Sequence, residues 1–324
     1  MYKKIFGLVS SIAVVGLLAA CGQGTVTPVE TPAETSVETP TETTTTGAIK
    51  VYSRDATSGT REAFEGVVGF ADKLTNDAFE VASNGDMATK VGAEKSAIGY
   101  VSLTTDFEAN NLREVNYEGI EPTIATVVDG SYKLSRPFSY VTRAVGNFDS
   151  TEKEELVTAF LDYMVNSVEG REIVLSAGGI VNVDEGTPWD ELKKNHPIVD
   201  KDNSGITLYT AGSTSVEKTL KVALESFIPM AGNFKINMNQ TGSGDGYKRV
   251  LGAEKDGANK ADIGFASRTF KAEEDISGAM ESGEYCKDAV VVVVNAANMG
   301  VTDLSQAQVA AIFEGQIKNW EDIK

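Results

Sequence analysis

Residues 51–64 read Val51-Tyr52-Ser53-Arg54-Asp55-Ala56-Thr57-Ser58-Gly59-Thr60-Arg61-Glu62-Ala63-Phe64. Ile49 to Tyr52 predicts a strand, and apolar residues at helical spacing from Arg61 to Phe70 predict a helix. Between them lies a loop rich in Gly and hydroxyl side chains. A loop of that composition before a helix suits a tetrahedral oxyanion. The helix N-terminus offers unpaired N–H donors and a positive dipole end, and Gly59 lets the backbone approach closely. Ser and Thr hydroxyls donate neutral hydrogen bonds and also cap the helix. Arg54 adds a charge-assisted, bidentate contact.

Working outward, two further loops repeat the pattern. Ala211-Gly212-Ser213-Thr214-Ser215 precedes an expected helix over Val216 to Phe227, and Gln240-Thr241-Gly242-Ser243-Gly244-Asp245-Gly246 precedes one over Tyr247 to Lys255. Capping and turn chemistry alone would explain any one loop; three in one chain carry more weight. None has the Gly-x-x-x-x-Gly-Lys-Ser/Thr spacing of a nucleotide phosphate loop. Strands are expected at 97–101, 124–128, 138–145, 206–210, 234–239, 262–266 and 289–294, and helices at 152–166, 170–177 and 305–313. Val183 to Gly205, polar and containing Pro188 and Pro197, reads as a linker. Strand, loop and helix in alternation predict an α/β fold with parallel sheets, crossover helices and ligands at the carboxyl ends of strands.

The remaining features bound the function. Lys3 and Lys4 precede an apolar, small-residue run from Ile5 to Ala20, in the order of an export signal. Leu18-Ala19-Ala20-Cys21 resembles the bacterial lipobox, which implies acylation of Cys21 and a lipid anchor on the extracytoplasmic face of the cell membrane. Residues 21–47, rich in Thr, Pro and Glu, are expected to be a disordered tether. The chain has two Cys and one His, so disulfide frameworks, His-based triads and metal sites of the His/Cys kind are excluded, and no cofactor is expected. Cys286 reads as a small, partly buried residue. With 29 Lys and Arg against 47 Asp and Glu, the net charge is −18. Such a balance excludes nucleic acid as a partner, because no basic stripe displaces counterions. It does not exclude a buried anion, which responds to short-range donors.

Residues 51–64 closely resemble the signature of the phosphate-binding component of the Pst phosphate ABC importer. Ile206 to Val216, Gln240 to Gly246 and Ala261 to Arg268 resemble the family's other anion segments, and Ala97 to Leu103 and Ala311 to Trp320 further landmarks. The order differs: here the segment that comes second in the family precedes the first, as in a circular permutation. A truncated chain with a further copy beyond Lys324 is the other explanation. The resemblance implies a two-lobe, periplasmic-binding-protein-like fold of type II. One lobe would combine 48–135 with 288–324, and the other would be continuous over 136–287, with 184–205 joining the former termini. It implies phosphate contacts from Arg54, Ser58, Gly59, Thr60, Ser213, Thr214, Ser215, Ser243 and Ser267, with Asp55, Asp245, Arg268 and Asn84 behind them.

Some members place a carboxylate where Ser267 or Arg268 stands; it accepts the proton of hydrogen phosphate and excludes sulfate. No acid stands there in this chain, and Asp55 and Asp245 are the candidate acceptors, although Asp55 reads first as an orienting salt bridge to Arg54. The implied function is capture without catalysis: a monomer binds inorganic phosphate and delivers it to membrane permease subunits. The alternatives are another tetrahedral oxyanion (sulfate, molybdate or tungstate) and a phosphate sensor or surface protein.

Overall fold

The computed structural model describes residues 45–324. The expected export signal, Cys21 and nearly all of the tether lie outside them. Eleven strands follow in order: β1 (Lys50–Arg54), β2 (Phe79–Val81), β3 (Ala97–Ser102), β4 (Leu112–Glu114), β5 (Asn116–Tyr117), β6 (Ser135–Thr142), β7 (Thr207–Gly212), β8 (Lys235–Gln240), β9 (Ile263–Ala266), β10 (Ser282–Asn295) and β11 (Asp303–Leu304). The α-helices are α1 (Gly59–Val68), α2 (Asn84–Ala93), α3 (Ile124–Val128), α4 (Thr151–Leu161), α5 (Val168–Ser176), α6 (Trp189–Leu192), α7 (Glu217–Phe227), α8 (Ser243–Val250) and α9 (Gln306–Phe313). A π-helical turn, Asp162–Asn166, continues α4.

The same plan occurs twice. The run β1-α1-β2-α2-β3 forms three parallel strands with β1 in the middle, and β7-α7-β8-α8-β9 does the same around β7. Two long antiparallel strands connect them, giving the order β2-β1-β3-β10-β6-β9-β7-β8, with β4 also paired to β10. β10 works on both sides: Ser282 to Ala289 pair with β6, whereas Val290 to Val294 pair with β3. Its Val290–Val294 run is buried on both faces, as an unbroken β-branched apolar stretch requires.

Two large apolar cores flank this ribbon. One gathers Phe64, Phe70, Tyr100, Phe313 and the β10 valines; the other gathers Phe138, Phe160, Tyr163, Phe227, Phe265 and Tyr285. Phe64 stacks on Tyr100 at 4.3 Å between centroids and meets the edge of Phe313 at 5.1 Å. Cys286, expected to be partly buried, is fully packed in the second core.

Three expectations differ from what is found. Residues 124–128 form a helix rather than a strand, because Thr123 and Thr126 exchange a capping box that outweighs the β-branched composition. The segment 183–205 is not a bare linker. It folds into short helical turns that press Trp189, Ile198 and Val199 into the second core. The helix expected from Tyr247 begins at Ser243, inside the Gly-rich loop.

Where β6 and β10 pass from one core to the other, Arg136 and Asp288 stand opposite each other in register. Their side chains keep 2% and 0% exposure; Arg136 Nη2 and Nε donate to Asp288 Oδ2 at 2.7 and 2.9 Å, and Ser102 Oγ donates to Oδ1 at 2.9 Å. Burial pushes the Asp288 carboxyl up and the Arg136 guanidinium down, and each partner's charge opposes the other's shift. Removing one member leaves an uncompensated buried charge. Asp288→Ala is expected to lower stability by about 3–5 kcal/mol, read as a shift in the urea unfolding midpoint; an unchanged midpoint contradicts this.

Candidate functional site

The carboxyl ends of the parallel strands β7, β8 and β9 lie along one edge, and these strands and β1 are each continued by one of the hydroxyl-rich segments. After β1, Ser58 caps α1 by accepting from Arg61 N at 3.3 Å. The chain leaves β7 through Gly212, whose φ of +125° lies in the region L side chains avoid; an added Cβ there would meet the Phe265 backbone at 2.8 Å. Ser213 Oγ then accepts from Ser215 N at 3.1 Å. At the end of β9, Ser267 N donates to Ser243 Oγ at 3.0 Å, and the two hydroxyls lie 3.3 Å apart.

These segments touch across the two cores. Thr60 Oγ1 and Ser215 Oγ share a hydrogen bond at 2.9 Å. Gly244 N donates to Thr57 O at 3.3 Å. Gly59 faces the β8 and β9 loops so closely that an added Cβ would meet Ser243 Cβ at 2.8 Å and Ser267 Oγ at 3.1 Å. Ser58, Thr60, Ser213, Thr214, Ser215, Ser243 and Ser267 are all buried. The N-terminal turns of α1 and α8 thus meet beside the α7 loop, and their dipoles favour negative charge at the junction.

Arg54, the cation expected at the site, is buried at the end of β1. Its side chain keeps 1% exposure. Nη2 donates to Ala82 O at 3.0 Å and to Asp55 Oδ2 at 3.3 Å, whereas Nε is buried without a partner among the described residues. Burial lowers its pKa from the ordinary arginine value, with Asp55 opposing, and an arginine remains protonated throughout the physiological range. The backbone around it is fixed. Tyr100 OH accepts from Arg54 N at 3.0 Å, and Arg61 Nη1 donates to Arg54 O at 3.0 Å. Burial pushes the Tyr100 phenol up to about 12, so it stays a neutral hydrogen-bonding group.

The outer residues divide by role. Asp55 Oδ1 accepts from Thr57 N at 2.9 Å while Oδ2 holds Arg54, so this carboxylate shapes the loop and aims the guanidinium. Asp245 is taken up by Thr241 Oγ1 and Arg249 Nη2. Arg268 turns to carboxylates, with Nη1 and Nη2 at 2.7 and 2.8 Å from the two oxygens of Glu274. Asn84 is not the simple turn residue its neighbours Ser83 and Gly85 indicate. It opens α2, capped by Ser83, and its N–H donates to Thr214 Oγ1 at 3.1 Å. A fourth helix N-terminus therefore reaches the junction, and the Ser83-x-x-Asp86 spacing of a capping box is the signal that marks it in the sequence.

The junction holds backbone amides, neutral hydroxyls and a guanidinium from separate elements, the donor set a small oxyanion needs. Among the described residues no group of three or more His, Cys, Asp and Glu is placed to hold a metal, and no helix is long and apolar enough to cross a membrane. A family model described as a PBP superfamily domain matches residues 34–168 and 199–324. Phosphate-binding protein PstS 2 of Streptococcus agalactiae serotype V is 30% identical over 324 residues, covering 97% of this chain and 96% of its own. Phosphate-binding protein PstS 2 of Streptococcus pneumoniae serotype 4 is 29% identical, covering 86% and 88%. The crystal structure of a phosphate ABC transporter phosphate-binding protein from Streptococcus pneumoniae TIGR4 aligns with a TM-score of 0.60 at 27% identity, over 86% of this chain and all of that one. The family model accounts for most of the chain and the first relative for nearly all of it; this chain belongs to the PstS-like phosphate-binding proteins of the PBP superfamily, a family of non-enzymatic substrate-binding components of ABC transporters.

Proposed function

We propose that this protein binds inorganic phosphate between two lobes and hands it to the permease subunits of an ABC importer. The observation that carries the reading is the junction itself. Gly59 and Thr60 of one core meet Ser215, Ser243 and Ser267 of the other, beside a buried Arg54 whose Nε has no partner. An anion at that point draws donors from both sides and favours their closure by its differential affinity for the closed form.

The lobe boundaries 48–135 with 288–324, and 136–287, are supported by the division of the two apolar cores, with Ile180 of the second span joining the first core. The permuted order, in a type II arrangement, is supported by the neighbouring ends of the described chain. Ile49 N donates to Lys318 O at 2.8 Å and Trp320 N to Gly47 O at 3.0 Å, so the two end segments lie side by side, antiparallel. Within the larger fold the protein acts as a monomeric lipoprotein held at the extracytoplasmic face of the cell membrane by acylated Cys21, a reading carried by the lipobox-like Leu18 to Cys21. Labelled palmitate should enter the wild-type chain and fail to enter Cys21→Ala.

A second reading, a site open to sulfate, molybdate or tungstate, is favoured by one observation. Of the two candidate proton acceptors, Asp55 uses both oxygens on Arg54 and Thr57, and Asp245 uses Oδ2 on Thr241 and Arg249. Competition titration separates the two: phosphate displaced by equimolar sulfate supports the broader site, and phosphate retained supports the narrower one.

Isothermal titration should show saturable, one-to-one phosphate binding to the wild-type protein; no heat and no thermal shift at millimolar phosphate would falsify the assignment. Arg54→Ala removes a charge-assisted contact and is expected to weaken phosphate by about 1.5–3 kcal/mol, roughly 10- to 150-fold; unchanged affinity takes Arg54 out of the site. Gly59→Ala places a methyl group against Ser243 and should weaken phosphate while leaving the unfolding midpoint nearly unchanged, since the clash lies between the two cores.

A further inference from the structure

We infer that Glu62 is a closure latch, a positioning residue that grips Arg268 and Lys271 across the cleft and slows release of the bound anion. The inference rests on the phosphate reading above and extends it to a group that does not touch the ligand.

Glu62 lies in the first turn of α1, the same turn that presents Gly59 and Thr60 to the junction. Phe64 and Val68 of α1 belong to the first core. Arg268 and Lys271 follow β9, whose Ile263 and Phe265 belong to the second. Glu62 Oε2 lies 2.9 Å from Arg268 Nε and 3.1 Å from Lys271 Nζ. The Arg268 contact is one of charge rather than an aligned hydrogen bond, since Nε finds no acceptor in hydrogen-bonding geometry. Arg268 is held in place by the two oxygens of Glu274 and keeps only 9% side-chain exposure, so its charge is aimed before Glu62 arrives. Glu62 itself is 44% exposed. The pair can therefore part into water and is open to screening by salt.

The opposite rim of the cleft is closed differently. There Lys218 Nζ donates to Thr104 O at 2.9 Å and Asn84 N to Thr214 Oγ1 at 3.1 Å, both contacts with neutral acceptors. The Glu62 rim is the one where two opposite formal charges meet across the cores. Because α1 is rigid over its first turn, a pull on Glu62 is a pull on the N–H groups of Gly59 and Thr60, and the ion pair acts on the anion through the geometry of its donors.

The test is phosphate release followed by stopped flow in the wild-type protein and Glu62→Gln, at roughly 20 mM and roughly 500 mM NaCl, which bracket the Debye length of about 10 Å at 0.1 M. At low salt, release is expected to be about two- to five-fold faster in Glu62→Gln, with the association rate nearly unchanged and the difference vanishing at high salt. Lys271→Gln, which leaves α1 untouched, should shift release in the same direction. Wild-type release rates in Glu62→Gln at low salt, or a difference that survives high salt, overturn the latch. Failure of the wild-type protein to bind phosphate refutes the functional reading instead. The latch is then judged by small-angle scattering without phosphate, where Glu62→Gln should have the larger radius of gyration at low salt and equal radii reject it.

Discussion

Arg136 and Asp288 form their ion pair where water does not reach, on the two strands that pass between the cores. Taking both charges out of water is costly, and the cost is met only if each finds its partner in good geometry. That requirement fixes the register of β6 against β10 at the crossing. Everything on either side inherits it. β3 pairs with β10 immediately beyond Ala289, β9 pairs with β6, and the loops after β1 and β9 are thereby set face to face. A slip of one residue would part Arg136 from Asp288 and leave each charge buried without its partner.

From that frame the chemistry of the junction follows without a catalytic group. A protein of net charge −18 collects helix N-termini, hydroxyls and one guanidinium at a single buried place. Its surface charge acts at long range and is screened, whereas the donors act at contact distance and are not. Three carboxylates of the frame and its loops are engaged: Asp55 with Arg54 and Thr57, Asp245 with Thr241 and Arg249, and Asp288 with Arg136 and Ser102. The backbone amides and hydroxyls gathered there are donors, the character that the proposed anion site needs.

Much of this was legible in the amino-acid order because the decisive signals are local. Gly and hydroxyl residues between an apolar run and a helical period mark strand, loop and helix whatever the surrounding fold. The loops at 53–61, 211–215 and 240–246 carry that signal, and Gly59, Thr60, Ser215 and Ser243 from them make contacts with one another across the cores. For Asn84 the local sequence left two readings, because Ser83-Asn84-Gly85-Asp86 serves a tight turn and a capped helix start equally well; the contact with Thr214 is made by residues 130 positions apart. Residues 124–128 failed for a related reason, since two threonine side chains outvoted β-branched composition. The segment 183–205 looked like a linker because its apolar residues are sparse, yet Trp189 alone contacts Tyr163, His196 and Phe227. The contact of Arg268 with Glu62 lay beyond sequence reading, because the packing of two cores brings together residues far apart in the chain.

The ends of the described chain are stitched together before the fold proper begins. Gly47 N donates to Glu321 Oε2 at 2.7 Å, Gly47 O accepts from Trp320 N, and Ile49 N reaches Lys318 O. A load arriving through residue 47 therefore divides between β1 and the segment at 318–321, as strain relief divides tension at the neck of a cable. Arg54 sits a few residues further along β1, and its mooring to Tyr100 and Arg61 is spared the first share of any such tug.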